Sequence, residues 1–391
     1  MADRAGVRAQ VGFPYWRLSA FYFTYFAALG ALVPFWGLYL QERGFDALAV
    51  GQLMALLAVT KVVAPVLWGH MVDRTGRRMP LVRAASLGAI LVFGAVFAAS
   101  GFWTMAAAMT LFSFFWNASL PQVEAVTFNH LGSRASHYAM VRLWGSVGFV
   151  LVVGVLGLLL EQSSLAIVPV WVLVLYIGVW LSSLFIPDSA PVRVSGPPPS
   201  LRGLLRQPEV LAFLSACFLM QLGHGIYYAF YSIHLEAAGY STGAVGALWM
   251  LGVGAEVLVF LVMHRLLDRF GARRVLLLSL ALAVARWLLI GAFIELVAVQ
   301  VLAQCLHAAT FGTFHASAIH LVHHYFPGAT QGRGQALYNS VSFGAGGAAG
   351  SLIGGMLWTV PGPFAAFAVG AAAAAIGLWA AWRWVDLRHH Y

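Results

Sequence analysis

Apolar residues dominate this chain in runs of about 18 to 28 positions, each closed by a short polar cluster, with no alternation of period two inside them. Such runs are too long for the core helices of a small domain, and a bilayer's hydrocarbon core needs about 20 apolar residues per helical crossing. The pattern therefore predicts an all-α membrane protein rather than a barrel. Twelve transmembrane helices are expected. In the first half they run from about Pro14 to Leu40, Leu48 to Val72, Leu81 to Ala99, Trp103 to His130, Val141 to Leu160 and Leu165 to Ile186. In the second half they run from about Val210 to Leu235, Gly243 to Leu266, Val275 to Ile294, Leu296 to His323, Ala336 to Trp358 and Phe364 to Trp384.

The polar clusters between the runs alternate in charge. Arginines fall at 74–83, 134, 193–206, 269–274, 333 and 383–388, while the intervening turns hold almost none apart from Arg43, beside Glu42 and Asp46. Basic loops stay on the cytoplasmic side, so both termini are expected in the cytoplasm, as an even number of crossings requires. Between helices 6 and 7 the proline-rich stretch Pro187 to Pro208, with Arg193, Arg202 and Arg206, reads as a mobile basic linker. It divides the chain into a first bundle, 1–186, a linker, 187–208, and a second bundle, 209–391.

The two halves are copies. GHMVDRTGRR (Gly69 to Arg78) recurs 195 residues later as HRLLDRFGARR (His264 to Arg274), with Asp73, Arg74 and Gly76 falling on Asp268, Arg269 and Gly271. At the same offset Leu40, Gly44 and Gly51 fall on Leu235, Gly239 and Gly246. An internal repeat of this length means two bundles of one design.

Composition agrees: 61% of the 391 residues are hydrophobic and 9% charged, where soluble proteins carry about 25% charged residues. The formal charge of +9 lies in one-sided loops, which argues for a membrane and against nucleic acid. Cys217 and Cys305 sit in apolar runs and support neither a disulfide framework nor a metal site. The basic start, Met1 to Gln10, and the long first run are unlike a cleaved leader. The strongest enzyme reading is a histidine box at His320, His323 and His324, as in a membrane oxidase or desaturase; no second box accompanies it, and no phosphate cradle or nucleophile elbow appears. No cofactor is expected.

Ionisable residues inside the runs are the functional candidates, since each costs a few kcal/mol in hydrocarbon. Lys61 and Glu256 each precede a loop aspartate by 12 residues, and Arg286 follows Arg274 by 12, so all three lie about 18 Å from a basic turn, near the midplane. Lys61 and Glu256 are also repeat equivalents. They either face one cavity or pair to hold the bundles together. Glu124 and Arg142 flank the turn at Arg134 and lie at similar depth on adjacent helices, where they pair around substrate or close the cytoplasmic side. His224, Tyr227, Tyr228 and Tyr231 follow i, i+3, i+4, i+7 spacing on helix 7, and His307 and His315 share a side of helix 10 with Phe311. An aromatic face with polar tips suits a flat organic ligand.

Tandem six-helix bundles with this loop signature resemble the major facilitator superfamily. VRLWGSVGF (Val141 to Phe149), the stretch Gly223 to Trp249, Ala285-Arg286-Trp287 and LHAATFGTFH (Leu306 to His315) resemble its 3-phenylpropionate transporter family, near the lactose permease and nucleoside:proton symporters. The resemblance implies a monomeric inner-membrane secondary transporter, moving a small organic molecule with protons by alternating access. Glu124 and Arg142 resemble the sugar-holding pair of the lactose permease, and Glu256, Arg286 and a helix 10 histidine its proton-coupling set; with the charges and aromatic face read above, the expected substrate set is Lys61, Glu124, Arg142, His224, Tyr227, Tyr228, Tyr231, Arg286, His307 and His315. Glu256 or Glu124 would carry the proton. Asp73, Arg74, Arg77, Asp268 and Arg269 would gate by contacting neighbouring helix ends. Three cations against two carboxylates favour an anion, an aromatic carboxylate first, with a nucleoside or sugar as the alternative.

Overall fold

The structure, a computed structural model, describes residues 13–132, 137–189 and 201–385. The expected turn at Arg134, most of the linker with Arg193, and the two chain ends lie outside these residues. The described residues form helices and no strands. In the first half α1 spans Tyr15–Glu42, α2 Ala47–Thr75, α3 Met79–Phe93, α4 Phe102–Trp116, α5 Ser119–Leu131, α6 Tyr138–Leu160 and α7 Val168–Leu184. In the second half α8 spans Pro208–Ala237, α9 Thr242–Phe270, α10 Ala272–Ala292, α11 Val297–Cys305, α12 Phe314–Tyr325, α13 Gln331–Asn339, α14 Gly347–Trp358 and α15 Pro363–Trp384.

Eleven continuous helical stretches are long and apolar enough to cross a membrane. The twelfth crossing is α4 with α5, expected as one helix but broken at Asn117 and Ala118. Two causes act there. Pro121 has no N–H to bond the carbonyl of Asn117, and its ring crowds that carbonyl. The Asn117 amide also turns into a buried polar knot, donating to Thr60 Oγ1 at 2.9 Å and to Ser113 Oγ at 3.1 Å. In the tenth and eleventh crossings, π-helical turns at Ala308–Thr313 and Ser340–Gly346 join α11 to α12 and α13 to α14. The eleventh crossing also begins at Gln331, ahead of the expected Ala336.

The repeat keeps its register where the sequence showed it. α2 and α9 each have 29 residues and begin 195 residues apart. Each is capped at its start by a side-chain oxygen, Asp46 Oδ1 from the Ala49 N–H at 2.8 Å and Ser241 Oγ from the Ala244 N–H at 3.2 Å. The paired glycines take the positive φ that their turns need: Gly44 at 85° and Gly239 at 88°, Gly76 at 67° and Gly271 at 75°.

The halves meet along two related seams. A Cβ at Gly51 would stand 2.5 Å from the Ser351 carbonyl oxygen, in the contact of α2 with α14. Its repeat partner Gly246 would stand 2.8 Å from the Val153 carbonyl oxygen, in the contact of α9 with α6. Small residues here let backbones approach as in other membrane helix pairs. Two hydrogen bonds cross at the same end, from Ser241 Oγ to Glu161 at 2.6 Å and from Thr242 Oγ1 to the Gly157 carbonyl at 3.0 Å. These contacts clasp the halves at the end opposite the arginine-rich turns.

Candidate functional site

Between the halves lies a cavity of about 280 Å³. It is walled by spans from both halves, with Phe26, Trp116, Phe149, Tyr228, Trp249, Phe311 and Phe343 supplying aromatic faces. Its charged side chains are Lys61 on α2, Arg142 on α6 and Glu256 on α9. Lys61 and Glu256 therefore reach one cavity from equivalent positions, one of the two arrangements that their place in the repeat left open. Ser146, Gln221 and Ser351 add uncharged polar groups, and His307 completes the wall beside the first π turn.

His307 Nε2 lies 3.6 Å from Glu256 Oε2, an ion pair when the histidine is protonated, with 6% and 17% of the two side chains exposed. Lys61 has no hydrogen bond or ion pair among the described residues. The Arg142 guanidinium lies 3.6 Å above the Phe26 ring, and no described carboxylate comes within 4.0 Å of it. Such stacking holds an arginine in place while leaving its N–H fork free for a planar anion. Glu124 does not pair with Arg142. Its carboxylate accepts instead from the Tyr138 hydroxyl at 3.0 Å, away from the cavity wall.

The expected face of helix 7 divides. Tyr228 lines the cavity, whereas Trp249 packs over Tyr227, with ring centroids 4.8 Å apart, and stands beside Tyr231 at 6.1 Å. The covered tyrosines donate to Gln304 Oε1 at 2.9 Å and Gln300 Oε1 at 3.3 Å. His224 is buried behind the wall with Nδ1 3.0 Å from the Met220 carbonyl oxygen. His315 is off the wall as well, 3.0 Å from the Tyr338 hydroxyl. Positions i and i+4 share a helix side but differ by about 40°, enough for one to meet the cavity and the other a neighbouring helix.

Arg286 is also behind the wall. Fully buried, it donates Nε to the Ala303 carbonyl at 2.9 Å and Nη1 to Thr310 Oγ1 at 3.0 Å. Its guanidinium lies over the rings of Tyr227, at 4.4 Å, and Trp287, at 4.6 Å. Thr310 belongs to the π turn, so Arg286 braces the irregular backbone that carries His307 and Phe311 into the cavity.

Asp73, Arg74, Arg77, Asp268 and Arg269 are exposed at the α2–α3 and α9–α10 turns and form no ion pair among the described residues. The contacts with neighbouring helix ends fall to other residues. Arg83 donates to the carbonyls of Ser183, Leu184 and Ile186 at 2.9 to 3.3 Å, and Arg273 to those of Trp382 and Val385. Asp188 accepts from the N–H groups of Arg78 and Met79 at 3.3 and 3.1 Å. Partial burial pushes the Arg78 guanidinium below its ordinary value, against the opposing pull of Asp73 and Asp188. His320, His323 and His324 sit at the end of α12, and no cluster of three metal-ligating residues occurs among the described residues.

Trp249, Phe26 and Gln221 were not singled out from the sequence, although the repeat contains the signal. One and two turns before Lys61 and Glu256 stand Ala58 with Val253 and Met54 with Trp249, all on the wall. Phe26 and Gln221, also 195 residues apart, form another such pair of wall positions.

Paired bundles around a central, mixed-charge cavity define a secondary transporter. The chain belongs to the MFS_1 like family, which matches residues 15–369, and is a multi-pass membrane transporter rather than an enzyme. It is 31% identical to the probable 3-phenylpropionic acid transporter of Escherichia coli (strain K12), over 87% of this chain and 90% of that one. It is 29% identical to the maltose permease of Geobacillus stearothermophilus, over 89% and 90% of the two chains. In structure it resembles a mutant form of the nucleoside transporter NupG, with a TM-score of 0.84 and 16% identity over 95% of this chain and 100% of that one.

Proposed function

We propose that this protein carries a small organic anion, an aromatic carboxylate first, together with protons, by alternating access across the bacterial inner membrane. The observation that carries this reading is the pair of cations on the wall, Lys61 and Arg142, neither of which has a described carboxylate within 4.0 Å, while the one wall carboxylate, Glu256, lies 3.6 Å from His307. A carboxylate substrate would satisfy both cations, its ring lying among the aromatic side chains. The name of the Escherichia coli relative, a probable 3-phenylpropionic acid transporter, supports the same class. A neutral nucleoside or sugar is the second reading, supported by Ser146, Gln221 and Ser351 on the wall and by the maltose permease relative.

On this reading Glu256 carries the proton, with His307 stabilising its ionised form, and Glu124 is the alternative carrier. The bundles 1–186 and 209–391 rock about the cavity, joined by 187–208 and working within a monomer. The arginine-rich turns and both termini lie in the cytoplasm. The described state is then open to the cytoplasm, and Asp73, Arg74, Arg77, Asp268 and Arg269 engage neighbouring helix ends only when that side closes. The test is counterflow in proteoliposomes with labelled 3-phenylpropionate, uridine and maltose, with and without a pH gradient. Exchange of 3-phenylpropionate, accumulated when the outside is acid, is expected; exchange of uridine or maltose alone would replace the first reading by the second.

A further inference from the structure

On the outer face of the second half, remote from the central cavity, α10 and α15 enclose a shallow groove of about 490 Å³. Its lining is wholly apolar: Leu277, Leu278 and Ala281 from α10, and Ala375, Leu378, Trp379 and Trp382 from α15. Trp379 and Trp382 remain 56% and 60% exposed and Leu278 60%, so the described residues leave this surface uncovered. In a membrane protein the neighbouring medium is acyl chain. The end of the groove shows which lipid fits.

Arg274 stands three and four residues before Leu277 and Leu278, on the same side of α10 and nearer the arginine-rich turns. Arg383 stands four residues beyond Trp379 on α15, at the same end. Both are exposed. Arg274 has no hydrogen-bond or ionic partner among the described residues, and Arg383 has only the face of Trp384, at 5.6 Å. Arg273, between them, turns inward to the Trp382 and Val385 carbonyls and ties the two helices together where the groove ends.

We infer that this groove is a binding site for a glycerophospholipid with an anionic headgroup. One acyl chain lies along the apolar lining, and the headgroup phosphate meets Arg274 and Arg383. Arginine offers a phosphate oxygen a fork of donors, and tryptophan favours the depth at which headgroup and acyl chain join. Basic sites between membrane helices recognise lipid headgroups by this chemistry. The first half supplies a contrast. At the 195-residue offset the sequence has Asp188 for Arg383 and the buried Met79 for Arg274, and α7 already ends at Leu184, so Asp188 lies beyond the helix and accepts from the Arg78 and Met79 N–H groups. The equivalent face there lacks both cations, and the preference belongs to the second half alone.

The test is native mass spectrometry of the purified full-length protein in detergent, with equal concentrations of phosphatidylglycerol and phosphatidylcholine of identical acyl chains. The wild type is expected to retain phosphatidylglycerol over phosphatidylcholine by about fivefold or more, the effect of one or two arginines near a headgroup. R274Q/R383Q should bring the ratio close to one, and A281F, which fills the groove, should lower retention of both lipids. R206Q/R265Q, which removes two exposed arginines elsewhere on the same side, should leave the ratio unchanged. A ratio unaltered in R274Q/R383Q, or lowered equally in R206Q/R265Q, would overturn the site. Because these side chains are exposed, correct folding is checked by an unchanged melting temperature in lipid-free detergent.

Discussion

Lys61 and Glu256 hold equivalent places in the two halves and meet the same cavity, but only Glu256 has a partner among the described residues, His307 at 3.6 Å. The cavity is therefore asymmetric in charge although its scaffold is a repeat. Two cations stand on the wall against one carboxylate, none of them within ion-pair distance of another, and that excess of one cation sets what the wall variants should do.

Arg142→Lys should weaken binding of the anionic ligand by about tenfold or more, because an ammonium cannot reproduce a two-pronged contact or the stacking on Phe26. Lys61→Gln should weaken it too, with less effect on any uncharged ligand. Binding is read by isothermal calorimetry. Full affinity in both variants would eliminate the anion reading.

Arg286→Lys should lower stability rather than change selectivity, since Arg286 lies behind the wall. Its bonds to Ala303 and Thr310 would be lost or weakened. Such a loss, for a buried charged group, is of the order of 1.5 to 3 kcal/mol. Thermal melts give the stability, and affinity measured on the folded fraction gives the binding. A large change in ligand preference at unchanged melting temperature would place Arg286 in the site after all.

Glu256→Gln imitates the protonated acid. It should retain ligand exchange between the two sides of a vesicle and lose accumulation driven by a pH gradient. Glu124→Gln, whose parent carboxylate is held by Tyr138, should keep that accumulation. The reverse pattern would make Glu124 the proton carrier.

Gly246→Leu should force the α9 seam apart, because even a Cβ there would approach the Val153 carbonyl oxygen to 2.8 Å. Gly51→Leu should do the same at α2 against Ser351. Both should shift the population toward a state open at the clasped end and reduce transport while the protein still folds. Distances between spin labels on Ser163 and Ala237, both exposed at that end, report the change; unaltered distances would show that the seams do not hold the state closed.

By itself the sequence determined the membrane class, the repeat and its register, and the candidate charges. These depend on runs of apolar residues, on turn glycines such as Gly44 and Gly239, and on the position of a residue along one helix, all local properties. Depth could be read in this way for Lys61 and Glu256, which share one cavity; Arg142, read as lying nearer the cytoplasm, reaches it too, whereas Arg286, read at their depth, does not. Direction could not. Only the tertiary structure decided that Trp249 covers Tyr227 and Tyr231, that Tyr138 rather than Arg142 meets Glu124, and that Arg286 braces a π turn. Each outcome turns on small helix rotations and on competition among neighbours from distant parts of the chain, settled where buried polar groups find their hydrogen-bond partners.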